Sequence, residues 1–159
     1  MPLIENLEYR DERTAADIVI AIDTSGSTEG EPVTRFLEET YSLILQAGLG
    51  KYRLRIIECD DSVCAEFVAE GGAQFRSLME NVVLTGGGGT DFRPVFTRVN
   101  ELRKSGVKVK GVIYFTDGKG IFPVEDPGVK TCFVLYGDGT DEVRVPHYAY
   151  KIDLGGKLL

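Results

Sequence analysis

Tryptophan is absent from the 159 residues, histidine occurs once and cysteine three times. One histidine excludes a His-x-x-x-His zinc site, and any Ser-His-Asp or Cys-His mechanism would have to run through that single ring. It is His147, in Arg144-Val-Pro-His-Tyr148, near no candidate nucleophile in sequence, and it reads as a structural or surface histidine. Three cysteines are too few for a disulfide framework. Cys59 and Cys64 could in principle bridge, but their apolar neighbours favour buried free thiols, as in a reduced, cytoplasmic protein. No apolar run approaches the ~20 residues of a membrane span, and Pro2-Leu-Ile-Glu-Asn6 is no secretory signal. Basic residues are in deficit, 18 against 25 acidic, for a net charge of −7. Such a surface repels phosphate backbones and anionic lipid, so neither nucleic acid nor membrane is an expected partner.

What is present is ordinary for a globular domain: 43% hydrophobic and 27% charged residues. A single domain of this length buries roughly 70% of its unfolded surface and needs no metal or disulfide to hold it. Residues 1–16 are polar around Leu3, Ile4 and Leu7 and read as a leader or linker remnant, which leaves 17–159 as the domain. Ile18-Val-Ile-Ala-Ile22 is apolar on both alternating faces, the mark of a central parallel strand. A helix is expected after Pro32, with Phe36, Leu37, Tyr41 and Ile44 on one face. Tyr52–Cys59 and Val63–Val68, joined by Asp60-Asp61-Ser62, predict a hairpin at a sheet edge. A short helical stretch around Phe75, Leu78 and Met79 leads to Gly86-Gly-Gly-Gly-Thr-Asp91. Phe92, Val95, Phe96, Val99 and Leu102 then mark a helix face, with Thr90 or Asp91 as the expected N-cap. Gly111–Thr116, Thr131–Tyr136 and Ala149–Asp153 complete the strands. The alternation predicts a doubly wound, mostly parallel α/β sheet with helices on both faces and one antiparallel edge strand.

Ligands of open α/β sheets bind beyond the carboxyl ends of the strands. Two strands end in aspartate there: Asp23 follows Ile22, and Asp117 follows Thr116. The glycine-rich loop before the second helix belongs to the same edge. Together these loops offer two carboxylates and three hydroxyls, from Ser25, Ser27 and Thr90. Oxygen donors without thiol or imidazole suit Mg²⁺, Mn²⁺ or Ca²⁺ rather than zinc or copper. Asp23, Ser25 and Ser27 lie at i, i+2 and i+4 in a turn loosened by Gly26, so three side chains can curl around one point. Two aspartates with three neutral hydroxyls leave such a cation short of a ligand, a position that an incoming carboxylate completes.

At these positions the chain resembles von Willebrand factor type A (VWA) domains. Asp23-Thr-Ser-Gly-Ser27 matches the Asp-x-Ser-x-Ser signature of their metal-ion-dependent adhesion site, Thr90 their threonine loop and Asp117 their later aspartate. Gly86–Phe96 and Tyr114–Pro123 look most like the bacterial VWA-like domain at the C-terminal end of predicted metallopeptidases. The resemblance implies a Rossmann-like fold and Asp23, Ser25, Ser27, Thr90 and Asp117 as metal-site residues, with Mg²⁺ as the expected ion. It also implies a protein partner offering Asp or Glu to the metal, with a peptidase-like segment or an AAA-type ATPase as companion. Larger members carry a His-Glu-x-x-His segment upstream that this chain lacks. Peptidase activity is therefore expected in another segment or chain, with Met1 opening an excised fragment, and the domain itself is expected to be non-enzymatic.

Competing readings explain less. A simple helix N-cap at Asp23 leaves Asp117 and the glycine loop unaccounted for. The glycines lack the Lys-Ser/Thr of a phosphate loop, and a dehalogenase-like phosphatase needs an aspartate where Ser25 stands. A hydrolase using Asp23 or a metal-bound water is the alternative function, without an evident general base. Arg98, Arg103, Lys104, Lys108 and Lys110 read as a solvated face.

Overall fold

The computed structural model describes residues 16–23, 52–59, 63–70, 90–136 and 139–155, together with Ser42, Gln74 and Ser77, which are helical. Apart from Ser42, the helix expected after Pro32 lies outside these residues, as do the Asp60-Asp61-Ser62 turn and Gly86–Gly89. The elements are β1 (Ala16–Asp23), β2 (Arg53–Cys59), β3 (Val63–Ala69), β4 (Thr90–Asp91), α1 (Arg93–Lys104), β5 (Lys108–Thr116), β6 (Gly120–Ile121), β7 (Thr131–Tyr136), a 3-10 turn (Thr140–Glu142) and β8 (Ala149–Gly155).

Six strands form one sheet in the order β3-β2-β1-β5-β7-β8. All neighbours are parallel except β3, which returns antiparallel beside β2 at the edge. This is the expected mostly parallel sheet with an antiparallel edge strand. β1 is central because its residues are apolar on both faces, and all eight are buried.

Alternation along β1 sends Val19 and Ala21 to the face covered by α1. Val95, Phe96, Val99 and Leu102 form the buried stripe of that helix, at i, i+1, i+4 and i+7. Between helix and sheet lies an aromatic cluster in which Phe92 meets Phe122 at 4.7 Å and Tyr114 at 5.0 Å, while Phe122 meets Phe133 at 5.0 Å. These centroid spacings suit edge-to-face and tilted packing, and each buried ring contributes on the order of 2 kcal/mol from area alone.

The start of α1 differs from expectation. Neither Thr90 nor Asp91 is the N-cap; Phe92 is. Thr90 and Asp91 are instead committed to a short parallel ladder with Gly120 and Ile121, and the Phe92 ring is fully buried. Asp91 still serves the helix start from one residue upstream, accepting the Arg93 N–H at 3.0 Å and a forked contact from the Arg93 guanidinium at 2.7–3.1 Å. Those bonds hold the Asp91 carboxyl below its usual range. β5 begins at Lys108 rather than Gly111, with a register shift opposite Asp17/Ile18, and β8 runs on to Gly155.

In the basic stretch Arg103, Lys104, Lys108 and Lys110 are exposed, as expected of a solvated face, and Arg98 is the exception. The Arg98 guanidinium donates to Glu66 at 2.7 and 3.1 Å, which ties α1 to the edge hairpin. Glu66 also accepts from Arg55 at 2.7 Å, and Arg55 with Arg53 clasps the fully buried Asp17 at 2.9 and 2.8 Å. Among the described residues no helix is long and apolar enough to cross a membrane.

Candidate functional site

The carboxyl end of β1 is Asp23. Its neighbour across the ladder is β5, paired so that Ile22 lies opposite Phe115. One residue further, Asp23 and Thr116 share the face that α1 covers. The Thr116 hydroxyl donates to Asp23 Oδ2 at 2.6 Å, and both residues are buried, at 1% and 0% exposure. Thr116 in turn accepts the Gly118 N–H at 3.1 Å.

Asp117 therefore stands at the mouth of β5, one strand over from Asp23. Its Oδ1 accepts the Lys119 N–H at 2.9 Å, a closed turn of the kind aspartate favours. Gly118 makes that turn possible. Its φ is +84°, and a Cβ there would lie 2.7 Å from Val143 Cγ1 and 3.2 Å from Leu135 Cδ2. The chain then reaches Gly120, which pairs with Thr90. The structure thus brings Asp23 and Asp117 to adjoining strand ends and runs the Thr90 backbone beside the loop leaving Asp117. Ser25 and Ser27 lie outside the described residues.

Beneath Asp23 the floor is closed. Cys59, the carboxyl-terminal residue of β2 and the ladder partner of Asp23, is a buried free thiol. Its Sγ lies 3.1 Å from the Tyr114 hydroxyl and 3.3 Å from the Ile22 carbonyl oxygen. Burial, then the neighbouring Cys59, Asp23 and Asp91, drive the Tyr114 phenol well above its ordinary value, so it stays neutral. The sequence pattern gave no sign of this pair, because Tyr114 and Cys59 read only as apolar strand positions. Thr116 was likewise legible as a strand end and no more.

The side chains at the ends of β1 and β5 bring oxygen donors, while the Cys59 thiol beside Asp23 is engaged with the Tyr114 hydroxyl and the Ile22 carbonyl. Among the described residues no group of three or more His, Cys, Asp or Glu side chains gathers to hold a metal. Two carboxylates at adjoining strand ends, with a threonine strand alongside, fit a hard cation completed by hydroxyls rather than a thiolate or imidazole site. His147 is exposed and lies two residues before β8 begins. In a parallel sheet that is the amino-terminal rim, about 20 Å from the carboxyl-terminal one at ~3.3 Å per strand residue. It offers no general base to Asp23.

A mostly parallel α/β sheet with one antiparallel edge strand is the architecture of VWA-type domains. The sequence model of the family described as VWA-like domain (DUF2201) matches residues 18–155, and the chain belongs to that family. No curated protein sequence matches it. Among solved structures it is similar to the SpRpn10 VWA domain, at 12% identity over 89% of this chain and 88% of that one, with a TM-score of 0.56. It is also similar to an aerotolerance-related membrane protein from Bacteroides fragilis NCTC 9343 carrying multiple mutations to serines. There the identity is 16% over 76% of this chain and 67% of that one, with a TM-score of 0.51. At such identities the likeness shows the fold.

Proposed function

We propose that this domain is a divalent-cation-dependent protein-interaction module. VWA-like domains are generally non-enzymatic and bind protein partners, and the proposal specifies how this one would do so. Asp23, Ser25, Ser27, Thr90 and Asp117 would hold Mg²⁺, with Mn²⁺ or Ca²⁺ as substitutes. The ion would supply a coordination position for a carboxylate, so the partner offers an Asp or Glu from its surface. The hydroxyls add no negative charge beyond the two aspartates, so an acidic group is repelled less than it would be at an all-carboxylate site. Lys119, exposed beside Asp117, adds a positive charge to the same approach. A peptidase-like segment or an AAA-type ATPase in the cytoplasm is the first partner class to test.

The observation that carries the reading is the placement of Asp23 and Asp117 on the adjoining ends of β1 and β5, joined through Thr116. Melting the protein with increasing Mg²⁺ tests it: the midpoint should climb, fall back with EDTA, and stay put in Asp23→Ala. A wild-type midpoint indifferent to Mg²⁺, Mn²⁺ and Ca²⁺ would remove the proposal. A pull-down with and without chelator then asks whether the partner depends on the same ion.

A further inference from the structure

We propose that Thr116 is a positioning residue for the cation site, fixing the direction of the Asp23 carboxylate and coupling it to the turn that carries Asp117. This rests on the cation reading above and adds to it a residue that contacts no ion.

A threonine hydroxyl has one proton and two lone pairs. At Thr116 a lone pair is taken by the Gly118 N–H at 3.1 Å, and the proton is directed at Asp23 Oδ2 at 2.6 Å. That second distance is typical of a charge-assisted O–H···O⁻ bond. The β-branched side chain is stiff about χ1, and Thr116 is fully buried, so the hydroxyl has little freedom to point elsewhere. The other end of the relay is equally constrained. Gly118 sits in a left-handed turn packed close to Val143 and Leu135, and Asp117 is pinned by the Lys119 N–H. One hydroxyl therefore links the carboxylate of one strand end to the backbone that sets the other. A displacement of the Asp117 turn must pull on Asp23, and the reverse.

Valine and serine separate the two properties of threonine. Thr116→Val keeps the shape and removes the hydroxyl; Thr116→Ser keeps the hydroxyl and removes a methyl. Outer-shell partners of metal ligands are typically worth 10–100-fold in affinity. Calorimetric titration with Mg²⁺, well below the melting midpoint of each variant, should show Thr116→Val weakened about tenfold or more and Thr116→Ser within about threefold of wild type. If Thr116→Val does not melt cooperatively, Thr116→Cys, of similar volume and with only a weak donor, carries the same comparison. Wild-type affinity in the hydroxyl-free variant, with binding lost in Asp23→Ala, overturns the positioning role and leaves the cation reading standing. Equal losses in Thr116→Val and Thr116→Ser also overturn it, because packing rather than the hydroxyl would then be responsible. A wild-type protein that binds no Mg²⁺ removes the parent reading, and this inference with it.

Discussion

Asp17 and Asp23 occupy the same strand and the same face, six residues apart, and both are buried. Their surroundings differ in kind. Asp17, at the amino-terminal end, is gripped by the guanidiniums of Arg53 and Arg55, which continue through Glu66 to Arg98 on α1. Asp23, at the other end, accepts a neutral hydroxyl from Thr116. Guanidiniums cancel charge, whereas a hydroxyl aims a carboxylate. The first arrangement belongs to the architecture, and the second suits the cation site proposed above.

The sharpest way to break this contrast is to remove each aspartate in turn. Asp17→Ala removes the buried anion shared by two guanidiniums, at 29% and 11% side-chain exposure, although Arg55 keeps Glu66 and Arg53 keeps the longer contact with Glu70. Removing one partner of a buried pair costs about 3–5 kcal/mol, and the lower end applies here because both arginines reach solvent. Urea unfolding should show that loss, with the Mg²⁺ response of the melt retained. Asp23→Ala should cost less in metal-free buffer and abolish the response. Were Asp17→Ala to lose the Mg²⁺ response while Asp23→Ala kept it, the roles assigned to the two ends would be reversed.

Gly118→Ala comes next in size. A left-handed backbone costs an L-residue about 1–2 kcal/mol, and the new methyl would press on Val143 besides. A total near 2–3 kcal/mol is expected from strain and overpacking together. Because the same turn carries Asp117 and feeds Thr116, Mg²⁺ affinity should fall with stability. Gly106→Ala is the control: its φ is also positive, at +102°, but nothing lies within 4 Å and no site residue is near in sequence. If the control weakens Mg²⁺ binding as much as Gly118→Ala does, the turn has no special connection to the site.

Tyr114→Phe removes the hydroxyl that meets Cys59 beneath Asp23. The loss should be about 1 kcal/mol, the usual worth of a buried neutral hydrogen bond. A loss confined to stability, with Mg²⁺ affinity unchanged, would mark Tyr114 as floor rather than as part of the relay.

How much of this was legible beforehand depended on whether the signal was local. The β1 run, the edge hairpin and the α1 stripe are periodic patterns of neighbouring residues, and the structure has them where periodicity put them. Asp23 and Asp117 were readable because each directly follows an apolar run, and parallel strands leave their carboxyl ends on one rim. The N-cap was misread because Thr90 and Asp91 have capping chemistry. Deciding against them required knowing that Gly120 and Ile121, thirty residues on, would pair with them. Arg98 was misread for the same reason: its partner, Glu66, is 32 residues away across the helix–hairpin gap. The Thr116 relay joins residues 93 apart in sequence, and no window of the chain contains both ends. Contacts of that kind belong to the topology, so they appear only once the strand order is known.

The smallest expected effect sharpens the same contrast through pH. Glu58 and Glu66 flank the β2–β3 hairpin on opposite faces, with opposite environments. Glu66 is held below the ordinary carboxylate value of 4.5, first by the hydrogen bond from Arg98 and then by Arg55, against an opposing contribution from burial. Its stabilising contribution is present above the unfolded pKa and is lost as pH falls through the folded one. Glu58 is 3% exposed, and burial alone raises its carboxyl above 4.5. Its folded form binds the proton more tightly than the unfolded chain does, so stability declines as pH rises through the interval between those two values. Glu58→Gln should therefore raise the melting midpoint at pH 7 and flatten the decline above pH 4.5. Glu66→Gln should lower the midpoint at pH 7 and flatten the loss on acidification below pH 4.5. Parallel melts of the two variants from pH 3 to 8, roughly the span over which carboxylates titrate, would separate them. If Glu66→Gln does not lower the midpoint at pH 7, the ion network through Arg98 and Arg55 does not stabilise the hairpin as its geometry implies.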